Sequence, residues 1–425
     1  MLALMMGCGI YLTARTGGFL YFHWREMAKH TALSLKMRRK GTEGVSPLQA
    51  VSTALAATVG TGNIVGVSVA VAQGGAGAIF WMWIAAFIGM MTKFSEVTLS
   101  VAYRHKNRRG EFYGGPMYYI SEGVGSRFLG TCFCVFGVLS SFGIGNMVQA
   151  NAMAQGLAEG FGAPPLGVGL ATAGLAGLVL VGGIRRISRV AEFLVPFMAL
   201  FYMLGAAAVL LQHWQAIPVA FGQIIREAFT GRAAVGGAAG FGVSHAIRIG
   251  VARGTFTNEA GLGSAPIAHA SAQTEHPVMQ GFWGAFEVFF DTLVMCTVTA
   301  LVVLTAGEGL QGGGTTVQRI FAEHIPGGGA MIPISLTLFA FSSILAWYYY
   351  GEQCIKWLAG EEIIKWYRRI YLCFIVLGCT MELSSVWQLA DLWNGLMALP
   401  NLLALFLLTP QVAMLTEEYQ KKKCR

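Results

Sequence analysis

Charge is scarce in this chain. Asp, Glu, Lys and Arg make up only 12% of 425 residues, against about a quarter in a soluble globular domain. With 55% hydrophobic residues and a mean hydropathy of +0.58, a water-soluble globule is excluded and a polytopic, all-α membrane protein is expected. Catalytic signatures are missing too. No glycine-rich loop ends in Gly-Lys-Ser or Gly-Lys-Thr, and Gly261-Leu262-Gly263-Ser264 has neither the spacing nor the strand context of a nucleophile elbow. Nor does any nucleophile-base arrangement or His/Cys metal set favour an enzyme. The eight cysteines follow no metal-ligand or disulfide spacing, and Cys132 and Cys134 sit inside an apolar run, so they read as small buried residues. A signal-peptide cleavage pattern is absent. The apolar stretch after Met1 ends near Leu12, short for a crossing, so the first helix is expected to be clipped. The net charge of +8 comes from short basic clusters between apolar runs, which orient a membrane protein and do not form a nucleic-acid surface.

What is present centres on Ala54 to Gly66, ALAATVGTGNIVG, inside a charge-free run from Gly44 to Thr92. A lipid-facing helix would place Leu or Ile where this stretch has Gly60, Thr61, Gly62 and Asn63. Backbone groups in a membrane must be satisfied internally, so such a segment at mid-depth reads as a helix interrupted around a polar cavity. The competing reading is close helix packing on the glycines, with Asn63 as an interhelical hydrogen bond.

Basic linkers arrange the apolar runs into about eleven crossings, with the N-terminus outside and the C-terminal tail in the cytoplasm. The second crossing, residues 47–72, carries the interruption. The seventh is odd: Arg226, Glu227 and Arg232 precede a glycine-rich run, which reads as one discontinuous crossing over residues 217–247. Arg248 and Arg253 then mark the inside, with residues 254–273 as a polar loop there, and residues 307–329 form a structureless outer loop. Crossings two to six and seven to eleven make two sets of five, and an odd set size gives the halves opposite orientations. Each set opens with a glycine-interrupted crossing, the second at residues 231–242, as in an inverted-repeat transporter. The expected divisions are 1–46, an accessory helix and cytoplasmic linker; 47–215 and 216–410, the two repeats; and 411–425, the tail.

Unwound backbone at residues 58–63 offers donors for a carboxylate and acceptors for an ammonium or a bare cation, and Asn63 can serve either with its amide. Ser140, Ser141, Asn146, Gln149 and Asn151 in the fourth crossing either line the cavity or bond between helices. In the ninth, Ser342 and Ser343 either bond their own i−4 carbonyls or act as two cation ligands, and Trp347, one turn on, is placed to close the pocket over a small side chain. Of the charged residues within crossings, Lys93 and Glu96 are spaced to neutralise each other. Glu287 and Asp291 place like charges together unless a partner, water or proton intervenes.

The segments AATVGTGNIVGV (Ala56 to Val67), WMWIAAFIGMMTKFSE (Trp81 to Glu96), GGPMYYI (Gly114 to Ile120), SFGIGNMVQANAMA (Ser141 to Ala154), GGIRRISR (Gly182 to Arg189) and RGTFTNEAGLGSAPIAHA (Arg253 to Ala270) resemble the bacterial and archaeal alanine or glycine:cation symporter family. The resemblance covers essentially the whole chain. It implies a LeuT-like fold of eleven transmembrane helices, ten in the core plus an N-terminal accessory helix, in the plasma membrane, the inner membrane of a two-membrane cell. It further implies Na+-driven uptake of small neutral amino acids such as alanine and glycine, among membrane lipid and with no obligate protein partner. Carried over by position, Thr61 and Gly62 are similar to the substrate-binding break, Asn63 to a neighbour of substrate or ion, and Gln149 to a substrate-facing residue. Ala56 and Val59 are similar to carbonyl donors of a sodium site opposite Ser342 and Ser343. A proton-coupled amino-acid permease is the alternative, and a cation channel a more distant one.

Overall fold

The computed structural model describes residues 1–36, 45–107, 110–230, 239–307, 314–381 and 384–423. The chain begins with α1 (Leu2–Arg15) and α2 (Trp24–Lys36). A capping box starts α3 (Pro47–Thr58): Ser46 Oγ accepts from Gln49 N at 3.1 Å, Gln49 Oε1 accepts from Ser46 N at 3.0 Å, and Pro47 occupies the first turn, where no donor is needed. A 3-10 turn, Thr61–Asn63, leads into α4 (Val65–Gly74), and the two halves of this crossing are bent by 58°. After α5 (Gly77–Ala102), a two-residue ribbon pairs His105–Lys106 with Phe112–Tyr113. Pro116–Tyr118 then begins a short helical turn, with Pro116 in the first turn, where no donor is needed.

Next come α6 (Arg127–Phe161), α7 (Pro165–Leu180) and α8 (Gly183–Gln212). α9 (Ile217–Thr230), α10 (Ala239–Asn258) and α11 (Ala265–His269) precede α12 (Pro277–Ala306). The chain closes with α13 (Gly314–His324), α14 (Gly328–Ala359), α15 (Ile364–Thr380) and α16 (Ser384–Lys423). The polarity is inverted relative to a soluble domain. Leu166, Leu170 and Leu178 of α7 and Phe193, Phe197 and Leu204 of α8 face outward, whereas Thr61, Asn63, Glu96, Glu287 and Asp291 are buried. Small residues let the inner helices touch: a Cβ added at Gly281 of α12 would fall 2.4 Å from Thr98 Oγ1 of α5, and one at Gly250 of α10 would fall 2.2 Å from the Ala78 carbonyl.

Eleven crossings are met only in part. Six helices of the described residues are long and apolar enough to cross alone, and the bent pair at residues 47–74 makes seven. α1, α7 and α15 have 14, 16 and 17 residues, below the roughly 20 of a full span.

The seventh crossing differs more. Over residues 217–258 the described residues hold two helices, α9 and α10, while residues 231–238, the centre of the expected second interruption, lie outside the described residues, as do Arg108, Arg109 and Arg232. α9 lies against the start of α5, where Glu227 Oε2 accepts from Ala76 N at 2.9 Å and supplies an acceptor to a helix N-terminus. Arg248 and Arg253 belong to α10, and residues 254–273, expected as a polar inner loop, are largely buried as helix, turn and short helix. Within the expected structureless stretch at 307–329, α13 buries Val317, Ile320 and Phe321 on one face. Three apolar positions at helical spacing outweighed the glycines flanking them.

Candidate functional site

α3 ends where Gly60, at φ −132° and ψ −160°, leaves the helix. Asn63 folds back over this turn. Its Oδ1 accepts from Gly60 N at 2.9 Å, while its Nδ2 donates to Asp291 Oδ1 at 2.7 Å and to the Asp291 carbonyl at 3.2 Å. Both readings of Asn63 are therefore joined, since the residue that shapes the break also bonds across to α12. Thr61 Oγ1 donates to Gln149 Oε1 at 3.1 Å, and Gln149 Nε2 donates to the Ile144 carbonyl at 3.2 Å. That bond spans five residues because α6 widens into a π turn at Gly143–Met147. Gln149 thus faces the break though it does not line the cavity beside it, Asn146 donates to the Tyr371 carbonyl at 2.8 Å, and Asn151 both lines that cavity and donates to the Gly378 and Met381 carbonyls, which tie α6 to α15.

The paired serines of α14 approach from the other side. Ser342 Oγ lies 3.2 Å and Ser343 Oγ 3.0 Å from the Ala56 carbonyl, and both also reach the Phe339 carbonyl, at 2.8 and 3.0 Å. Self-bonding and cross-helix contact coexist. Val59 is fully buried and ends α3 at ψ 88°, outside helical geometry. A Cβ added at Gly60 would meet Ser343 Oγ at 3.0 Å and Gln149 Oε1 at 3.8 Å, so serine, glutamine and unwound backbone converge on one point. Beside them a cavity of about 350 Å³ is lined by Thr61, Gly62, Gln155, Arg253, Phe256 and Leu336, among others. Trp347 is not in that lining. It is buried, its Cβ occupies space that a side chain at Gly145 would need, and its Nε1 donates to Glu259 Oε1 at 3.2 Å.

Glu259 opens a second break, residues 259–264, which sequence reasoning placed in a loop. Among the described residues it is the one non-glycine with positive φ, 54°, followed by Gly261 at 91° and Gly263 at 80°. Ser264 Oγ donates to Glu259 Oε2, and Asn258 Oδ1 accepts from Ala260 N at 3.0 Å. Asn258 Nδ2 donates to Thr292 Oγ1 at 3.2 Å, and that hydroxyl donates to Asp291 Oδ2 at 2.9 Å. Asp291 therefore joins the two broken helices, receiving Asn63 from one and, through Thr292, Asn258 from the other. The sequence held a signal: Thr257-Asn258-Glu259-Ala260-Gly261-Leu262-Gly263 repeats the small and polar pattern of Thr58 to Asn63.

The charged pairing also departs from expectation. Lys93 faces Glu287 at 3.5 Å across the α5 and α12 interface, and His269 Nε2 lies 3.0 Å from the other Glu287 oxygen, so Glu287 has partners and Glu96 is left for Asn401.

A polytopic bundle of apolar helices in which two unwound segments meet on buried polar side chains has a LeuT-like fold. That fold is shared with MhsT, solved in complex with L-phenylalanine, at a TM-score of 0.63 over 88% of this chain and 99% of that one, with 14% identity. The chain matches the sodium:alanine symporter family over residues 1–425 and belongs to it. It is 42% identical to the sodium/alanine symporter AgcS of Methanococcus maripaludis, over 99% of this chain and 94% of that one. It is 39% identical to the probable sodium/glutamine symporter GlnT of Bacillus subtilis, over 100% and 88%. The protein is a secondary-active, Na+-coupled symporter of small amino acids and not an enzyme.

Proposed function

We propose that the protein takes up alanine and glycine with Na+ by alternating access around the two breaks. Thr61, Gly62 and Gln149 receive the amino acid, and Asn63 holds their turn in shape. Trp347 acts from behind, by seating Glu259, in place of the direct lid that sequence spacing suggested. Carbonyls of Ala56 and Val59 with the hydroxyls of Ser342 and Ser343 form the sodium site. A hard cation takes oxygen ligands, and this group offers four without a fixed carboxylate. The observation that carries the reading is the convergence of Ser342 and Ser343 on the Ala56 carbonyl, five residues before the Thr61 to Gln149 bond.

On this reading the eleven crossings are α1, the α3 and α4 pair, α5, α6, α7, α8, the α10 and α11 pair, α12, α14, α15 and α16. The break at residues 259–264 opens the second set of five in place of residues 231–242. The N-terminus lies outside and the tail in the cytoplasm of the plasma membrane. Contact of the tail with α2, through Tyr419 and His30 at 2.9 Å, keeps those two basic segments on one side. Uptake of radiolabelled alanine and glycine into proteoliposomes, with Na+, K+ and proton gradients imposed separately, tests the function. Accumulation under an inward Na+ gradient alone is expected. Accumulation under a proton gradient without Na+ would establish the proton-coupled alternative.

A further inference from the structure

Asn401 sits in the middle of α16, beside Pro400 and far in sequence from either break. It is fully buried, and both polar atoms of its amide are used. Its Nδ2 donates to Glu96 Oε1 of α5 at 2.5 Å and to the Gly261 carbonyl of the second break at 3.0 Å, while its Oδ1 accepts from the Tyr119 hydroxyl. The amide therefore reads three segments at once: a long core helix, the turn after Pro116, and the unwound backbone. Gly261 and Gly263 hold left-handed conformations that glycine adopts without strain, so the turn's own backbone does little to select its shape. Selection comes from side chains, Ser264 and Asn258 within the segment and Asn401 from outside. A Cβ at Gly263 would lie 2.8 Å from Pro116, 2.9 Å from Phe133 and 3.1 Å from Asn401 Cγ, which shows how closely the neighbours mould it.

We propose that Asn401, seated by Glu96 and Tyr119, is a positioning residue for transport. It holds the Gly261 carbonyl and thereby fixes the second break in the conformation observed here. A buried amide left unpaired is costly, and Glu96 Oε2 already has no partner here, so the bonds of Asn401 break and re-form together when the break moves. The proposal rests on the alternating-access reading above. It assigns to α16, outside both broken helices, control over the rate at which the second one moves.

Asn401→Leu removes both donated bonds and the acceptor at similar volume. In proteoliposomes and on purified protein, Vmax for Na+-driven alanine uptake is expected to fall about tenfold or more while the alanine Kd in Na+ stays within about threefold of the parent. Tyr119→Phe removes one hydroxyl and is expected to lower Vmax about twofold to fivefold with Kd unchanged. Glu96→Gln keeps an acceptor for the amide and is expected to retain more turnover than Glu96→Leu. Equal Vmax in Asn401→Leu and parent, or Vmax and binding capacity lost in proportion, would overturn the positioning role. If Asn401→Leu is not monodisperse, Tyr119→Phe and the Glu96 pair decide, and equal turnover for Glu96→Gln and Glu96→Leu overturns it. A parent that fails to accumulate alanine overturns the transport reading instead, so the two failures are distinguishable.

Discussion

The turn at residues 59–64 carries no charge and is capped from within, where Asn63 accepts from Gly60 N three residues back, with Gln149 of α6 and Asp291 of α12 bonded to it from outside. The turn at residues 259–264 carries Glu259 in a left-handed conformation and is held by Trp347 of α14, Thr292 of α12 acting through Asn258, and Asn401 of α16. Both have an internal bond, Asn63 to Gly60 N and Ser264 to Glu259, but the first is tied outward to two helices and the second to three. A turn with its own internal cap suits a binding site that must keep its geometry in every state. A turn held by three other helices changes when they move, which suits the element that converts binding into a change of access.

Substitutions sharpen this contrast. The largest effect is expected where backbone conformation and packing coincide: Gly263→Ala should lose about 2 to 4 kcal/mol of stability, from a left-handed alanine and overpacking against Pro116 and Phe133. Thermal unfolding of the detergent-solubilised protein reads it, and an unchanged Tm would break the claim that the second turn is moulded from outside. Asn63→Ala comes next. It strips the acceptor from Gly60 N and the donor from buried Asp291, and about 1 to 3 kcal/mol is expected in the same assay.

Ser342→Ala with Ser343→Ala should leave Tm nearly unchanged but raise the half-maximal Na+ concentration for uptake about tenfold, the equivalent of ~1.4 kcal/mol of ion binding. An unchanged half-maximal concentration would remove both hydroxyls from the ion site. The smallest effect is expected at Gly62. An added methyl meets Thr257 Cγ2 at 3.1 Å and Phe256 Cε1 at 3.7 Å, contacts that a few tenths of an ångström relieve. Gly62→Ala should therefore lower alanine uptake about threefold to tenfold and glycine uptake less, because the methyl narrows the side-chain space. Equal losses for both substrates would show that Gly62 does not bound that space.

The same contrast explains what was legible beforehand. Residues 59–64 stood out because polar residues interrupt a charge-free run, and Thr61, Gly62, Asn63, Gln149, Ser342 and Ser343 could be picked as polar side chains on apolar helices. Residues 259–264 follow two arginines and hold a glutamate, so by composition they look like a wet loop, and burial of that glutamate by Trp347 and Ser264 is a tertiary fact. Trp347 was seen as an aromatic near the site, but its direction depends on the space left by Gly145 on another helix. Lys93 and Glu96 share a helix face, yet helix packing sends them to Glu287 and Asn401, partners that no local spacing encodes.

The most direct test of the central claim is an experimental structure of the protein with alanine and Na+ bound. The account predicts amino-acid density against Thr61, Gly62 and Gln149, between the two breaks, and a cation within ligand distance of the Ala56 carbonyl and the Ser342 and Ser343 hydroxyls. Alanine bound elsewhere, with the space between the breaks empty, would contradict it.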